Sequence, residues 1–86
     1  MNSAKKPMSL LKNGEKAIVD ASYNEPAMKR RLFDLGFAPG SRVECIGTAA
    51  FGDPKAFLIK NTVIALRCED SEKIYVRCDE QNSGIL

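Results

Sequence analysis

The sequence predicts a mainly β fold, a small antiparallel barrel of five strands with one α-helix inserted after the first strand. Short runs with the two-residue alternation of strands recur along the chain, separated by turns that contain glycine, proline or asparagine. One segment instead repeats its apolar residues at helical spacing. The chain has 86 residues, 44% of them hydrophobic, which is enough material for one small domain.

The helix is predicted over Glu25 to Leu35. Three apolar residues recur on one narrow face at about 100° per residue: Met28, Leu32 and Leu35. Asn24 is a residue type that caps helix N-termini. Gly36 follows the last apolar position, where a helix commonly ends with one residue at positive φ. We therefore expect the helix to stop at Gly36 and to pack on the barrel through the apolar face.

Five segments are predicted as strands: Lys16 to Asp20, Arg42 to Thr48, Ala56 to Ile59, Val63 to Cys68 and Lys73 to Arg77. Pro39 and Gly40 are suited to a type II turn that leads into the second strand. Glu69 to Glu72 is predicted as a single tight helical turn. The domain is expected over residues 8–78, with mobile tails at 1–7 and 79–86.

The composition argues against most enzyme classes. The chain has no histidine, the side chain that most often acts as a general base near neutral pH and as a metal ligand. Its glycines form neither a dinucleotide-binding nor a phosphate-binding pattern. The net charge of +2 is too small to favour nucleic acid as the main partner. No stretch reaches the ~20 apolar residues of a membrane helix, so a cytoplasmic protein is expected.

The cysteines and the acidic cluster do not predict a metal or redox site. Three cysteines stand far apart: Cys45, Cys68 and Cys78. None forms a C-x-x-C pair, and each shares strand parity with apolar neighbours, so we expect reduced and mostly buried thiols. Three carboxylates are close in sequence: Glu69, Asp70 and Glu72. These carboxylates are most simply explained as a solvated surface. Asp53 is most simply explained as a residue that hydrogen-bonds within its own turn.

Four residues are candidates for binding a partner protein. Phe33 lies about 140° from Met28 on the helical wheel, outside the apolar face. Phe51 lies in a loop, and aromatic residues are enriched in interface hot spots. Arg30 and Arg31 would supply a basic rim for an acidic patch. The alternatives are that Phe33 tucks under the N-terminal segment and that the basic run is a solvated helix face.

Three segments together resemble one known family, and they occur in the same order and at the same spacing. They are Leu32 to Gly40 (L-F-D-L-G-F-A-P-G), Gly52-Asp53-Pro54 and Ile64 to Arg67 (I-A-L-R). In these residues the chain is similar to the ferrous iron transport protein A family, FeoA. One departure is Ala50, where the family often has proline.

The resemblance implies an SH3-like barrel and a cytosolic, non-enzymatic accessory of ferrous iron uptake. The implied partner is the FeoB-type membrane transporter, which contains a GTPase domain. The resemblance implies no catalytic residue, metal site, cofactor or small-molecule substrate, and contact with the membrane only through the transporter. The alternative function is a regulatory module that acts with a metal-dependent repressor or nucleic acid, because similar barrels occur in such repressors. This chain contains no helix-turn-helix of its own.

Overall fold

One antiparallel sheet of six strands and a helix at its side make up the described part of the chain, residues 4–78 of a computed structural model. The strands are β1 (Lys5–Pro7), β2 (Lys16–Ser22), β3 (Arg42–Thr48), β4 (Lys55–Ile59), β5 (Thr62–Leu66) and β6 (Ile74–Cys78). The helices are α1 (Pro26–Leu35) and the four-residue α2 (Cys68–Ser71), and a single 3-10 turn spans Met8–Leu10.

The strands follow one another across the sheet in the order β1-β6-β2-β3-β4-β5, and every neighbouring pair is antiparallel. β1 and β5 therefore form the two edges. The prediction of five strands is wrong, because the sheet has six, and the sheet does not close into a full barrel in the described residues. The mainly β architecture with one principal inserted helix is confirmed.

The additional strand is β1, in the segment that the sequence predicted as a mobile tail. Lys5 and Pro7 pair with Arg77 and Tyr75 of β6. Three residues, two lysines and a proline, carry no alternation of apolar side chains, so a strand could not be recognised there. Proline is tolerated because the strand lies at an edge. The predicted C-terminal tail, 79–86, lies outside the described residues.

Ion pairs attach β1 to the rest of the sheet. Lys5 Nζ lies 3.1 Å from Asp20 Oδ2, and Lys6 Nζ donates to Glu15 Oε2 at 2.8 Å. The backbone N–H of Lys12 donates to the other oxygen of Glu15 at 2.9 Å. These two hydrogen bonds hold the pKa of Glu15 below its ordinary value of 4.5, because each favours the charged carboxylate.

α1 begins at Pro26, one residue after the predicted start at Glu25, and it stops at Gly36 as predicted. Gly36 has φ of 113°, in the left-handed region, and its N–H donates to the carbonyl of Phe33 at 3.0 Å. Glu25, not Asn24, is the N-terminal cap residue. Asn24 is instead buried and donates from Nδ2 to the carbonyl of Asp70 at 3.0 Å. Asn24, the residue expected to cap the helix, therefore makes a long-range contact that joins the start of α1 to α2.

The core is a single apolar cluster between the sheet, the 3-10 turn and α1. Its largest fully buried side chains include Phe57, Met8, Leu11 and Leu32. Cys45 is fully buried among them, as its strand parity predicted. Cys68 differs, since β5 ends at Leu66 and Cys68 opens α2 with its side chain half-buried. The side chain of Cys78 lies outside the described part.

Replacing Gly36 by valine is expected to lower the free energy of unfolding by about 1 kcal/mol or more. A Cβ is costly at positive φ, and here it would also meet Lys60 Cδ at 3.2 Å. Gly47→Val is the matched control, because Gly47 lies in β3 with open space around a Cβ. Thermal or urea unfolding measures both, and equal midpoints for Gly36→Val and wild type would contradict the prediction.

Replacing Glu15 by glutamine is expected to reduce stability at pH 7 by about 0.5 kcal/mol, a small value because the pair with Lys6 is partly exposed. A carboxyl with a lowered folded pKa stabilises above its unfolded pKa, and this contribution is lost as the pH falls through the folded pKa. The difference between variant and wild type should therefore shrink as the pH falls below the unfolded pKa of about 4.3 and vanish below the lower folded pKa. Urea unfolding at pH 7 and pH 3 measures it, and a constant difference would contradict this origin.

Candidate partner-binding surface

A groove of about 550 Å³ separates α1 from the edge strand β5. Met28 and Leu35 line it from the helix, and Ile64 lines it from the strand. The helix and strand run in opposite directions, because Lys60, just before β5, lies beside Gly36 at the end of α1. The apolar face of α1 that was predicted to pack on the barrel does so only in part. Leu32 reaches the core, whereas Leu35 remains exposed.

Charged side chains give the groove two different ends. Arg31 lines its wall, and Lys60 lies at the end where α1 stops. Among residues 4–78 neither Arg31 nor Lys60 takes part in an ion pair. The opposite end carries more acidic than basic residues: Glu25, Glu69, Asp70, Arg67 and Lys73. The groove is therefore basic at one end and mildly acidic at the other.

The four predicted partner-binding residues fall in three places. Phe33 is 59% exposed and shares the outer face of α1 with Arg30, which pairs with Asp34 at 3.8 Å. Arg31 faces the groove on the other side of the helix. Phe51 is 98% exposed on the loop between β3 and β4. The structure thus brings Arg30 and Phe33 together and separates them from Arg31.

The loop that carries Phe51 is fixed to the start of α2. Asp53 Oδ1 accepts a hydrogen bond from the backbone N–H of Cys68 at 3.0 Å, and the Cys68 thiol donates to the carbonyl of Gly52 at 3.3 Å. Asp53 therefore bonds to a residue 15 positions away, not within its own turn as predicted. The residue before Cys68, Arg67, lines the groove, so loop and groove meet at α2.

The thiols of the described residues are in weakly reactive surroundings. Desolvation raises the pKa of the Cys68 thiol, and the nearby carboxylate of Asp53 raises it further. Cys45 is fully buried, and its Sγ lies 3.6 Å from Oδ1 of the exposed Asn13. Within residues 4–78 no three His, Cys, Asp or Glu side chains are placed to hold a metal ion. No helix in the same range is long and apolar enough to cross a membrane.

The sequence pattern could not reveal the groove, because it forms between segments about 30 residues apart. The motif residues Leu32, Leu35 and Ile64 to Arg67 all line it, so the conspicuous segments of the sequence do meet in space. The sequence offered one signal of the groove, Leu35, which is the apolar residue nearest the end of α1 on the apolar helix face.

Comparison with protein-family profiles shows which family the motif segments around the groove belong to. The profile of the FeoA domain matches residues 6–78, which is most of the chain. The chain belongs to the FeoA domain family. The FeoA match covers both edges of the sheet, α1 and the groove.

Individual relatives support the same family and fold. A solution structure of FeoA from Chlorobium tepidum is 32% identical, with a TM-score of 0.83, over 91% of this chain and 74% of that one. A zinc-complexed FeoA from Stenotrophomonas maltophilia, described as a procaryotic SH3 domain protein, is 25% identical with a TM-score of 0.71, over 88% of this chain and 89% of that one. The FeoA fold of this chain is therefore SH3-like.

A curated relative links this domain to the transporter in one polypeptide. The Fe(2+) transport protein A/Fe(2+) transporter FeoB fusion protein of Porphyromonas gingivalis is 26% identical over 76 residues. These residues are 88% of this chain but 9% of the relative, so the chain spans about a tenth of that protein. The association of the FeoA family with ferrous iron transport follows from this relative.

Replacing Asp53 by alanine is expected to destabilise the protein by about 1 kcal/mol, because the first N–H of α2 loses its acceptor. Asp53→Asn retains an acceptor oxygen and is the matched control, expected to lie near wild type. Urea unfolding measures both variants. Equal destabilisation by alanine and asparagine would show that the hydrogen bond to Cys68 is not the cause.

Proposed function

We propose that this FeoA domain is a non-enzymatic, cytoplasmic accessory protein that binds and modulates a FeoB-type ferrous iron transporter. The observation that carries the proposal is the Porphyromonas gingivalis fusion protein, in which segments named for the two proteins share one chain. Covalent fusion keeps two domains at high effective concentration. Where the two domains are on separate chains, a binding surface is required to reach a comparable association.

The exposed side chains around α1 are suited to such a surface. Phe33 exposes most of a large apolar ring to solvent, and buried aromatic anchors carry much of the binding energy in protein interfaces. Arg30 lies beside it, and its pair with Asp34 is largely exposed to solvent, so the guanidinium can reach an acidic partner at little cost. These features support Phe33 as an anchor with Arg30 at its rim.

Phe51 and Arg31 provide two further contacts in the proposed surface. Phe51 is nearly fully exposed on a loop that two hydrogen bonds hold to Cys68. A fixed loop loses less conformational entropy on binding than a mobile one. Phe51 can therefore serve as a second aromatic anchor, and Arg31 as a basic contact inside the groove.

Phe33→Glu is expected to weaken binding to the cognate FeoB-type transporter about tenfold or more, since it replaces an apolar anchor by a charge. Leu10→Glu is the matched control, because Leu10 has the same exposed fraction of 59% but belongs to the 3-10 turn. Binding is measured with full-length transporter and with its cytosolic region, with and without guanine nucleotide.

Three outcomes would contradict parts of this proposal. If the wild-type chain binds the transporter in none of these conditions, the accessory function is wrong. If Phe33→Glu folds cooperatively and binds as tightly as wild type, the outer face of α1 is not the site. Salt-sensitive binding to duplex DNA, in the absence of transporter binding, would favour the alternative of a regulatory module.

A further inference from the structure

The outer edge of β5 has backbone hydrogen-bonding groups that no strand occupies. β5 is the last strand in the sheet, and within residues 4–78 its only strand neighbour is β4. Lys60 and Asn61 form the two-residue turn between β4 and β5, with φ of 50° and 63°. This is the left-handed pair that is typical of a tight hairpin.

The register of this hairpin shows which residues face outward. In a two-residue hairpin the residues that flank the turn, Ile59 and Thr62, form a hydrogen-bonded pair. Hydrogen-bonded and non-hydrogen-bonded pairs then alternate, so Ile64 and Leu66 bond to β4. The N–H and C=O groups of Val63 and Ala65 therefore point away from β4, toward the open edge.

The open edge lies beside α1, and this makes the groove a channel for an extended chain. A strand added to β5 would have the sheet on one side and α1 beside it. Its alternate side chains would reach the apolar groups of Met28, Leu35 and Ile64, which line the groove. Addition of an extended peptide to a sheet edge provides main-chain hydrogen bonds for affinity and side-chain pockets for specificity.

The charges of the groove specify the chemistry of the occupant. Arg31 lines the groove near the middle of α1, and Lys60 lies beside Gly36 at the end of α1; neither has an ion-pair partner among the described residues. They would attract a carboxylate at that end of the bound segment.

We infer that the groove between α1 and β5 binds an extended segment of the transporter as an additional strand on β5. The segment has apolar side chains at alternate positions and an acidic residue toward Arg31 and Lys60. This inference rests on the proposed function for the source of the segment. It adds the binding mode, the strand that carries it and the residue classes that the partner must present.

Ala65→Pro tests the inference directly, because it removes an outward N–H and leaves the hydrogen bonds from Ile64 and Leu66 to β4 in place. Ala65→Ser keeps the N–H and is the matched control. The probe is the cytosolic region of the cognate FeoB-type transporter, and the reference is the full wild-type chain. We expect Ala65→Pro to bind about tenfold more weakly and Ala65→Ser to bind like wild type.

Two further measurements keep the test decisive if the proline variant does not fold. Amide hydrogen exchange on the wild-type chain should slow at Val63 and Ala65 when the transporter region is added. Arg31→Glu should weaken binding several-fold, whereas Lys12→Glu, an exposed residue outside both the groove and α1, should bind like wild type.

The outcomes distinguish this inference from the proposed function. If the wild-type chain does not bind the transporter, the proposed function fails and the inference fails with it. If wild type binds but a folded Ala65→Pro binds equally well, and Val63 and Ala65 show no protection, the transporter binds elsewhere and only the inference is wrong. Protection that depends on the concentration of the chain alone, without transporter, would identify a second copy as the occupant and overturn it.

Discussion

The central position of β2 is the constraint on which the rest of the structure depends. β2 pairs with β6 on one side and with β3 on the other, so it joins the two halves of the sheet. Val19 is buried, and its N–H and C=O bond to Ser41 and Gly40 at 2.8 Å each. These bonds fix the segment that follows α1, and so set where the helix can lie relative to the edge strand β5.

A local irregularity of β2 also places a carboxylate that forms ion pairs with two other strands. The register with β6 shifts between Val19 and Ala21, which leaves Asp20 as the extra residue of a bulge. Its carboxylate lies 3.1 Å from Lys5 and 3.7 Å from Arg77. One carboxylate therefore links the central strand to both β1 and β6, while the apolar side chains of the same strand remain in the core.

Features determined by neighbouring residues could be predicted from the sequence, and features determined by distant ones could not. The stop of α1 at Gly36 depends on one residue type and its position after an apolar repeat, and that information is local. Asn24 and Asp53 were assigned to local hydrogen bonds, yet each bonds to α2, whose position only the fold defines. β1 was missed because its pairing with β6 does not require an apolar pattern.

The candidate site likewise has features that could be predicted from the sequence and features that could not. The exposure of Phe33 followed from the helical wheel, whereas the separation of Arg31 from Arg30 and Phe33 depends on which side of α1 the sheet occupies. The family match and the fusion relative connect the domain to ferrous iron transport without indicating a surface. The groove and the outer face of α1 are two surfaces of one helix, so a single partner can contact both.

The two edges of the sheet differ in the forces that hold them. β5 continues directly from β4 through a two-residue turn, and Leu66 anchors it in the core. β1 depends on three residues and on exposed ion pairs, whose attraction falls as ionic strength rises. Concentrated salt would therefore weaken the ionic attachment of the amino-terminal edge and leave the attachment of the edge at β5 unchanged.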